Sequence, residues 1–538
     1  MKRITHTLGL FSVLAVFAAG AAFAEQAKAP AAQPGSKAVV ATEAPVAPAH
    51  AAPAAGHAAA DPQKELGKKL SPLTLIPFVI ILLAIAVLPL VIPHLWESNL
   101  VKAVISVLLA LITASYLVTL GHLGIEVIVE TLKEYYAFIC LLVALFTISG
   151  GIYVEGDMKA TPITNSTILL LGAILASFIG TTGASVLLIR PLIRTNKYRK
   201  NTTHIFVFFI LLVSNVGGLL LPVGDPPLFM GYLYGVPFFW TLIKLWPIWL
   251  SAVAALLLIF FVWDTFAYSR ENKADLRQDE ELSGKIKVKG AINFLLIGGV
   301  LMAVVFLKNY QTDHGTLELA WLQQPVMLGF ALLSFVIDHM VKARKVKEHE
   351  EALLEKLEKE GKSTTNLRLL APRAHYTPRD KNHFGFAPII EVAALFIGIF
   401  ITMIPALCIL KARGAETGVT QPWQFYWITG ALSSFLDNAP SYATFFALGQ
   451  GVTANMGAAA GAVVQAATGA INETVLIGIS VGAVFFGANT YIGNAPNFMV
   501  KAMCEESKIK MPSFFGYMLY TILILVPVLG LIHLIFLR

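Results

Sequence analysis

Charged residues are scarce in this chain. Only 14% of its 538 residues are Asp, Glu, Lys or Arg, and 56% are hydrophobic, whereas a soluble domain carries about 25% charged residues. So little polar surface argues against a water-soluble fold. Apolar runs of about 20 residues recur along the chain, and a membrane-spanning helix needs that length. The runs are continuous rather than alternating, which disfavours a transmembrane β-barrel, so we predict an all-α polytopic membrane protein.

Cysteines and the common nucleotide and metal motifs are also few or absent. Three cysteines, Cys140, Cys408 and Cys504, give no basis for a disulfide framework or a metal–thiolate site. No P-loop, dinucleotide fingerprint or HExxH motif occurs, which argues against ATP-driven transport and zinc proteolysis. We therefore expect no enzyme activity and no cofactor. The net charge of +7 comes from basic residues in short loops, a pattern of membrane orientation rather than of nucleic-acid binding.

The N-terminal region differs in composition from the rest. Residues 1–24 hold Lys2 and Arg3, an apolar stretch and a final Ala-Phe-Ala, which predicts a cleaved signal peptide. An uncleaved first membrane helix is the alternative. Residues 25–70 are rich in Ala and Pro and hold few large apolar side chains. Such a segment cannot bury a core, so we predict a disordered extracytoplasmic tail.

The distribution of Lys and Arg orients the membrane segments. If the mature N-terminus lies outside, the basic loops fall inside and the acidic or neutral loops 121–134 and 310–324 fall outside, as the positive-inside rule requires. This holds only if two pairs of short apolar arms, at about 164–194 and 423–449, are re-entrant hairpins. We therefore predict a multi-pass protein of the bacterial inner membrane with a periplasmic mature N-terminus.

The remaining boundaries follow from this layout. The predicted parts are a first transmembrane repeat (71–267), a cytoplasmic loop (268–290) and a second transmembrane repeat (291–538) with a cytoplasmic loop at 342–384. We expect the charged stretch Glu350–Glu360 to be helical. The Ala/Gly-rich stretch Gly451–Ile471 is read as either an interfacial helix or a flexible loop.

The two halves share an unusual interruption. Residues 224–230 read Gly-Asp-Pro-Pro-Leu-Phe-Met, and residues 493–499 read Gly-Asn-Ala-Pro-Asn-Phe-Met, each within an apolar segment. Gly and Pro break a helix there and free backbone groups, which is tolerated only where they face protein or a watery cavity. A matched pair of broken helices indicates the binding site of a secondary transporter. We predict two inverted repeats, each with a re-entrant hairpin and a broken transmembrane helix.

Two acidic residues lie within these apolar regions. Asp225 is at the first break, and Asp437 is at the tip of the second hairpin. An ionisable group at that depth costs at least ~2.5–3.5 kcal/mol, so its default interpretation is functional. The repeat-equivalent residues, Asn494 and Gly180, are neutral. Each aspartate can also be interpreted as the cap of the helix that follows it, and both roles can hold at once.

Small oxygen-bearing side chains flank both aspartates, and we predict a cation site with one carboxylate in each half. The candidates are Thr181, Thr182, Ser185, Ser214 and Asn215 in the first half and Asn438, Ser441, Asn489, Thr490 and Asn494 in the second. Hard cations prefer oxygen ligands. Competition between Na⁺ and H⁺ for one carboxylate is enough for an antiporter that has alternating access.

Other polar residues receive weaker interpretations. Glu391 is expected at the inner interface, and Asp264 is expected to snorkel near an inner helix end. His204 is expected to be solvated beside a basic loop, and Glu126 to lie in an outer loop.

Residues 434–440, Ser-Phe-Leu-Asp-Asn-Ala-Pro, together with the two breaks resemble the ion transporter superfamily. Within it, the chain is similar to NhaD-type sodium/proton antiporters and to the citrate-transporter-like proteins around them. The resemblance covers residues 73–538. It implies a homodimer in which a scaffold supports a moving transport domain that holds both hairpins. It also implies cation sites where hairpin tips meet broken helices.

The resemblance also assigns positions. It places Asp437 and Asn438 in the antiporter hairpin motif, and Asp225 and Asn494 in the unwound loops. The dicarboxylate branch of the superfamily has Ser-Asn-Thr at its hairpin tips. Here the first tip reads Gly-Thr-Thr-Gly and the second reads Asp-Asn-Ala-Pro, which weakens the interpretation as a dicarboxylate transporter.

These observations predict a secondary active transporter that exchanges Na⁺, with Li⁺ as a second cation, for H⁺. Asp437 is expected to be the primary carboxylate and Asp225 the second. One alternative is a Na⁺- or H⁺-coupled transporter of citrate, a dicarboxylate or arsenite with the same fold. Another is an intramembrane aspartyl protease that uses the two aspartates. The expected partners are Na⁺, H⁺, the lipid bilayer and a second copy of the chain.

Overall fold

The structure is a computed structural model that describes residues 61–537, apart from 97, 157, 273–283, 285, 313–314, 360–376 and 458–460. The predicted signal peptide and most of the predicted tail lie outside the described residues.

The first half of the described chain is almost entirely helical. Its α-helices are α1 (Pro62–Lys69), α2 (Ile76–Val91), α3 (Pro93–Trp96), α4 (Asn99–Thr119), α5 (His122–Ser149), α6 (Pro162–Ile179), α7 (Thr181–Thr195), α8 (Thr203–Leu212), α9 (Pro226–Leu233) and α10 (Trp240–Ser269).

The second half is built in the same way. Its α-helices are α11 (Ile292–Phe306), α12 (Gln323–Lys359), α13 (Pro378–Lys381), α14 (Ala387–Arg413), α15 (Pro422–Phe435), α16 (Asn438–Met456), α17 (Glu473–Phe486), α18 (Ala495–Glu506) and α19 (Phe514–Phe536). α12 continues through the charged stretch to Lys359, in agreement with the predicted helix there.

Three antiparallel pairs of short strands lie between the helices. They are β1 (Tyr153–Glu155) with β2 (Lys287–Lys289), β3 (Tyr310–Thr312) with β4 (Gly315–Leu317), and β5 (Val463–Ala466) with β6 (Gly469–Asn472).

Hydropathy gives the helices their membrane character. Nine helices in the described ranges are long and apolar enough to cross a membrane. Many of their large apolar side chains are exposed, for example Leu73, Leu258 and Phe515, because lipid rather than protein can cover them. The chain is an all-α multi-pass membrane protein, as predicted.

The helices pack into two groups. The scaffold group consists of α1, α2, α4, α5, α11, α12 and α14. The hairpin group consists of α6 to α10 and α15 to α19. The groups touch where α14 packs on α16 and where α5 packs on α7 and α9. These contacts form the boundary between the groups.

Each half contributes one helical hairpin to the hairpin group. α6 and α7 turn at Gly180, whose φ of 79° favours glycine. α15 and α16 turn at Leu436 and Asp437, which have extended ψ values of 158° and 139°. Both hairpins lie in the predicted segments, and their opposite insertion into the membrane stays a prediction.

Each half also contributes one interrupted helix. α8 and α9 are separated by residues 213–225, which include a 3-10 turn at Val216–Leu220. α17 and α18 are separated by residues 487–494, which begin with a 3-10 turn at Gly487–Asn489. In both cases Pro in the first turn of the following helix fixes where the chain becomes helical again.

The predicted outer loop at 121–134 is wrong. Residues 122–134 belong to α5, which begins at His122. Gly124, Val127 and Thr131 are buried on one face at spacings of three and four residues. One packed face is enough to hold a helix in place although its other faces are polar. Glu126 therefore lies on a helix and not in a loop.

Both interpretations of Gly451–Ile471 are also wrong. The first part of this stretch continues α16 to Met456, and the second part forms the β5–β6 hairpin. The backbone amide of Asn472 donates to Thr453 Oγ1 at 2.9 Å, which holds the hairpin against α16.

The end of the predicted disordered tail is a helix as well. α1 buries Leu66 against the scaffold group, and Asp61 caps its first turn. Lys411 of α14 binds the Asp61 carboxylate at 2.5 Å. Leu70, just after α1, is buried too. The buried leucines and the Asp61–Lys411 ion pair thus hold residues 61–70 against the scaffold group, although their composition predicts a disordered tail.

Candidate functional site

The two interrupted helices restart in the same way. Asp225 (φ −147°, ψ 142°) and Asn494 (φ −151°, ψ 138°) are extended residues just before α9 and α18. Neither side chain accepts a hydrogen bond from its own helix. The interpretation of Asp225 as only a helix cap is therefore wrong. The two side chains meet instead, and Asn494 Nδ2 donates to Asp225 Oδ1 at 3.2 Å.

The tips of both hairpins converge on the same carboxylate. Thr181 Oγ1 from the first tip donates to Asp225 Oδ1 at 2.8 Å. Asn438 Nδ2 from the second tip donates to Asp225 Oδ2 at 2.6 Å. Two breaks and two tips thus share Asp225, whose exposed fraction is 1%. The prediction of separate half-sites is wrong in this respect, because the first-half carboxylate is bound by residues of both halves.

Asp225 has no positive partner in the described part of the chain. Its three hydrogen-bond donors are a hydroxyl group and two amides, all neutral. An ionised carboxylate that is buried without a counter-charge costs several kcal/mol. The position therefore favours either a bound proton or a bound cation.

Asp437 has a different environment. Asp437 is half-buried as a residue, and its carboxylate accepts one hydrogen bond, from the amide of Ala439 at 3.2 Å, so it caps α16. Ser441 Oγ donates to the backbone oxygen of Asp437 at 3.1 Å. The capping interpretation holds for this residue, and its remaining oxygen is bonded to no other group among the described residues.

Two amide oxygens beside the second tip have no hydrogen-bond partner in the described structure. They are Asn438 Oδ1 and Asn489 Oδ1, and both atoms are buried. Asn489 is held at the tip because its Nδ2 donates to Ser434 Oγ at 2.9 Å. An orphaned buried acceptor loses its bonds to water without compensation. These oxygens are suited to a hard cation.

A chain of amides extends the site behind Asp225. Asn494 Nδ2 also lies 3.2 Å from Asn215 Oδ1, and Asn215 Nδ2 donates to Asn497 Oδ1 at 2.7 Å. Ser214 Oγ lies 2.8 Å from Ser185 Oγ. Asn497 was not among the predicted residues. Its position within the second Gly-Asn-Ala-Pro-Asn motif was the signal that could have identified it.

The backbone groups freed at the breaks are bonded again by the hairpins. The amide of Thr181 donates to the oxygen of Gly224 at 2.9 Å, and Ser177 Oγ donates to that of Gly217 at 2.5 Å. Thr490 Oγ1 donates to the oxygen of Ser434 at 2.5 Å. Hairpins and breaks are thus joined by hydrogen bonds, as interrupted helices inside a membrane require.

One predicted ligand lies outside this group. Thr182 is half-buried at the first tip, and no hydrogen bond connects it to Asp225 in the described chain. The other predicted residues lie at the tips, at the breaks or in the amide chain.

Asp264 and His204 are not solvated as predicted. Asp264 is fully buried and accepts from Arg199 at 2.6 and 3.2 Å. His204 Nε2 lies 2.9 Å from Asp264 Oδ1, and Asn165 Nδ2 donates to Oδ2 at 3.0 Å. These side chains hold the base of the first hairpin to α8 and α10.

Glu391 belongs to the scaffold group. Its carboxylate pairs with the buried Lys102 of α4 at 2.6 Å. The pair connects α4 and α14, and no hydrogen bond or ion pair in the described chain links it to Asp225. The position of Glu391 at the inner interface stays a prediction.

Comparison with known proteins adds one match. A family model described as "Putative citrate transport" matches residues 67–537, which is most of the chain. A search of curated proteins found no match.

Proposed function

The chain belongs to the citrate-transporter-like family of the ion transporter superfamily, and from this premise we propose that it exchanges Na⁺, with Li⁺ as a second cation, for H⁺. Membership of this family indicates that the chain is a membrane transporter. The identity of the transported ions is our proposal.

One observation carries the proposal: Asp225 is buried at the meeting point of both hairpins and both breaks with only neutral donors around it. Such a carboxylate is stable when it holds a proton or a cation. If Na⁺ binding requires loss of the proton, the two ions compete for one group. If the site opens to one side of the membrane at a time, Na⁺ carried in one direction is then exchanged for H⁺ carried in the other.

We propose Asp225 as the central carboxylate and Asp437 as the second. Asp225 contacts three of the four converging segments, whereas Asp437 mainly caps its own helix. This reverses the order expected from the sequence. The unpartnered oxygens of Asn438 and Asn489 support a cation position close to Asp437.

The relative movement of the two groups is also a proposal. The hairpin group holds all the residues around Asp225, and the scaffold group holds none of them. Movement of the hairpin group along α14 and α5 would carry the site across the membrane without breaking its hydrogen bonds. The superfamily resemblance supports this arrangement.

The first prediction concerns Asp225. Asp225→Asn removes the charge but keeps the shape, so we expect Na⁺-driven proton movement to fall to the level of empty liposomes. A pH-sensitive dye inside proteoliposomes measures this after addition of Na⁺, Li⁺ or K⁺. The exposed Glu416→Gln variant, which makes the same chemical change elsewhere, should exchange normally. Wild-type rates in Asp225→Asn would contradict the proposal.

A binding measurement and a charge swap sharpen this test. A ligand present at 100 times its Kd stabilises the folded state by about 2.7 kcal/mol, so Na⁺ should raise the melting temperature of the wild type but not of Asp225→Asn. The double variant Asp225→Asn with Asn494→Asp moves the carboxylate to its partner, since these side chains are hydrogen-bonded. We expect it to recover part of the exchange.

A second candidate is Na⁺-coupled transport of an organic anion such as citrate. The family description favours it, and Arg190 Nε is buried without a hydrogen-bond partner in the described structure. Against it, Arg190 lies nine residues after Thr181 on α7, about 14 Å along the helix axis. Sodium-stimulated uptake of labelled citrate that is lost in Arg190→Gln would favour the anion over the antiport proposal.

Location and assembly remain proposals too. We propose the bacterial inner membrane with a periplasmic mature N-terminus, and a homodimer formed through the scaffold groups. Surface labelling of single introduced cysteines measures on which side of the membrane the N-terminus lies. The mass of the purified complex measures the number of subunits.

A further inference from the structure

A glutamate lies near the middle of α5, a helix long enough to span the membrane. Glu134 is the thirteenth residue of this 28-residue helix. It is half-buried. An ionisable residue at that depth is costly and is a functional candidate by default. Because residues 121–134 are predicted to form an outer loop, Glu134 is not among the site residues expected from the sequence.

The face of α5 that carries Glu134 points to the boundary between the two groups. Phe138 is one turn further along the same face. Its ring lies 6.3 Å from that of Phe229 in α9. Glu130 is one turn in the other direction and lies within electrostatic reach of Glu134. The ring of Phe138 also lies 5.1 Å from that of Phe396 in α14, so this face of α5 lies where α14 of the scaffold group and α9 of the hairpin group meet.

A buried hydroxyl group without a partner lies on the opposite side of this boundary. Tyr234 follows α9 directly, and its exposed fraction is 4%. Its hydroxyl has no hydrogen-bond partner in the described structure. Tyr234 lies within electrostatic reach of Glu134 and of Tyr442. A buried phenol normally finds a partner, so this hydroxyl group is available to a polar group within its reach.

Tyr442 continues this contact toward the central site. It lies on α16 one turn after Asn438, which binds Asp225. Its hydroxyl lies against Gly231 of α9, where a Cβ atom would have no room. Glu134, Tyr234 and Tyr442 thus lead from the scaffold group to the second hairpin tip.

The only positive group in electrostatic reach of Glu134 among the described residues is Lys411 of α14. Lys411 already binds the Asp61 carboxylate at 2.5 Å and lies 3.3 Å from Gln63 Oε1. Its charge is therefore shared with another acid. Lys411 is therefore not a counter-charge for Glu134 alone.

We propose that Glu134 is a proton-binding site of this transporter, separate from Asp225, and that Tyr234 is its hydrogen-bond partner. A phenol can donate to the ionised carboxylate and accept from the protonated one, so it serves both states. The ligand is a proton rather than Na⁺, because one carboxyl group and one phenol provide too few oxygens to replace the shell of a metal ion. The inference rests on the proposed exchange of protons.

A labelling experiment tests the proposal without transport. Dicyclohexylcarbodiimide modifies protonated carboxyl groups in apolar surroundings, and peptide mass spectrometry locates the adduct in the full-length protein in proteoliposomes. We expect Glu134 to be modified at acidic pH and protected at alkaline pH. In Tyr234→Phe the midpoint of this curve should move to higher pH by about one unit, the value of one hydrogen bond to a charged group. No adduct on Glu134, or an adduct independent of pH, would overturn the proposal.

A transport measurement adds a matched control. Glu134→Gln should slow Na⁺-driven proton movement at least tenfold while the Na⁺-induced rise in melting temperature is kept, because the Asp225 site is intact. Glu126→Gln makes the same change two turns away, where the carboxylate lies 3.6 Å from His122 Nδ1, and should exchange normally. Wild-type exchange by Glu134→Gln would overturn the proposal.

The two proposals can fail separately. If the wild type moves no protons with Na⁺ but Glu134 shows pH-dependent labelling, the proposed antiport is wrong and the proton site stands. If exchange is normal in wild type and in Glu134→Gln, the antiport stands and the proton site is wrong.

Discussion

Asp225 and Asn494 have nearly the same backbone conformation, the same position before a Pro-containing helical turn, and a hydrogen bond to each other. They differ in one functional group. The carboxylate of Asp225 can change charge, whereas the amide of Asn494 cannot. Because only one of these two equivalent positions is ionisable, burying the pair costs the desolvation of one charge rather than of two.

Asp264 has the opposite character, because its charge is balanced. Arg199 binds it through two nitrogens, and both side chains are fully buried. His204 and Asn165 occupy further positions on its oxygens. The Asp264 carboxylate is thus paired with a positive charge and bonded on both oxygens, as in a structural ion pair, whereas Asp225 has only neutral donors among the described residues.

We predict that Asp264→Asn destabilises the protein by about 3–5 kcal/mol, the usual cost of leaving one member of a buried ion pair alone. The melting temperature in detergent measures this. The exposed Glu416→Gln should change stability by less than about 0.5 kcal/mol. Replacing both partners, with Arg199→Met and Asp264→Leu, should recover part of the loss. An unchanged melting temperature in Asp264→Asn would show that the cluster contributes little to stability.

At the scale of elements, each hairpin is held against a break at a glycine. Gly217 in the first break lies against the backbone of Ala173 in α6. In the second half, Gly430 of α15 lies against the ring of Phe486 next to the second break. The glycine is on the break in one half and on the hairpin in the other. In either position the missing side chain allows the hairpin to pack closely on the break, so that the hairpin tip reaches Asp225.

We predict that Gly217→Ala separates the first hairpin from its break. The new Cβ would lie 2.6 Å from Ala173 Cα and 2.8 Å from the oxygen of Leu212, and backbone atoms cannot move aside cheaply. Overpacking of this kind costs about 1–3 kcal/mol, so the melting temperature and the exchange rate should both fall.

Gly298→Ala is the matched control for this contact. Gly298 lies inside α11 with nothing within 4 Å of its added Cβ. Since Ala is the better helix former by about 1 kcal/mol, this variant should be neutral or stabilised. Equal effects of the two substitutions would mean that the contact of Gly217 with Ala173 is unimportant.

At the scale of the whole molecule, charged residues outside the membrane segments connect distant parts of the chain. Glu155 of β1 pairs with Lys289 of β2 at 2.5 Å and with Lys381 of α13 at 2.6 Å. Arg379 of α13 donates to the backbone oxygens of Thr147 at 2.7 Å and Ser334 at 3.1 Å. α13 thus joins the end of α5 and an inner turn of α12 to the β1–β2 strand pair.

We predict a pH dependence for this connection. The hydrogen bonds from Lys289 and Lys381 lower the pKa of Glu155 from 4.5 to about 2. A carboxyl group with a lowered pKa in the folded state stabilises the protein above its unfolded pKa and loses this contribution as the pH falls through the folded value. The melting temperature should therefore drop below about pH 4.5, and less steeply in Glu155→Gln. The same steepness in both proteins would exclude Glu155 as the cause.

Local features of the sequence predicted much of this molecule. Hydropathy located the membrane helices, and Gly and Pro located the breaks, because both effects depend on neighbours along the chain. The same local reasoning failed at 121–134, where one packed face holds α5 despite its glutamates. It also failed for Asp264, because burial depends on residues that come from other helices.

The sequence by itself determined that this is a multi-pass membrane protein with two interrupted helices and with two aspartates inside its apolar segments. Only the tertiary structure decided that Asp225 is shared by both halves, since Asn438 lies 213 residues away and Asn494 lies 269 residues away. It also decided that Glu134 lies within electrostatic reach of the buried Tyr234, across the boundary between the two groups. Contacts over such separations arise when apolar faces and close glycine contacts fix how helices pack, and no short window of the sequence contains that information.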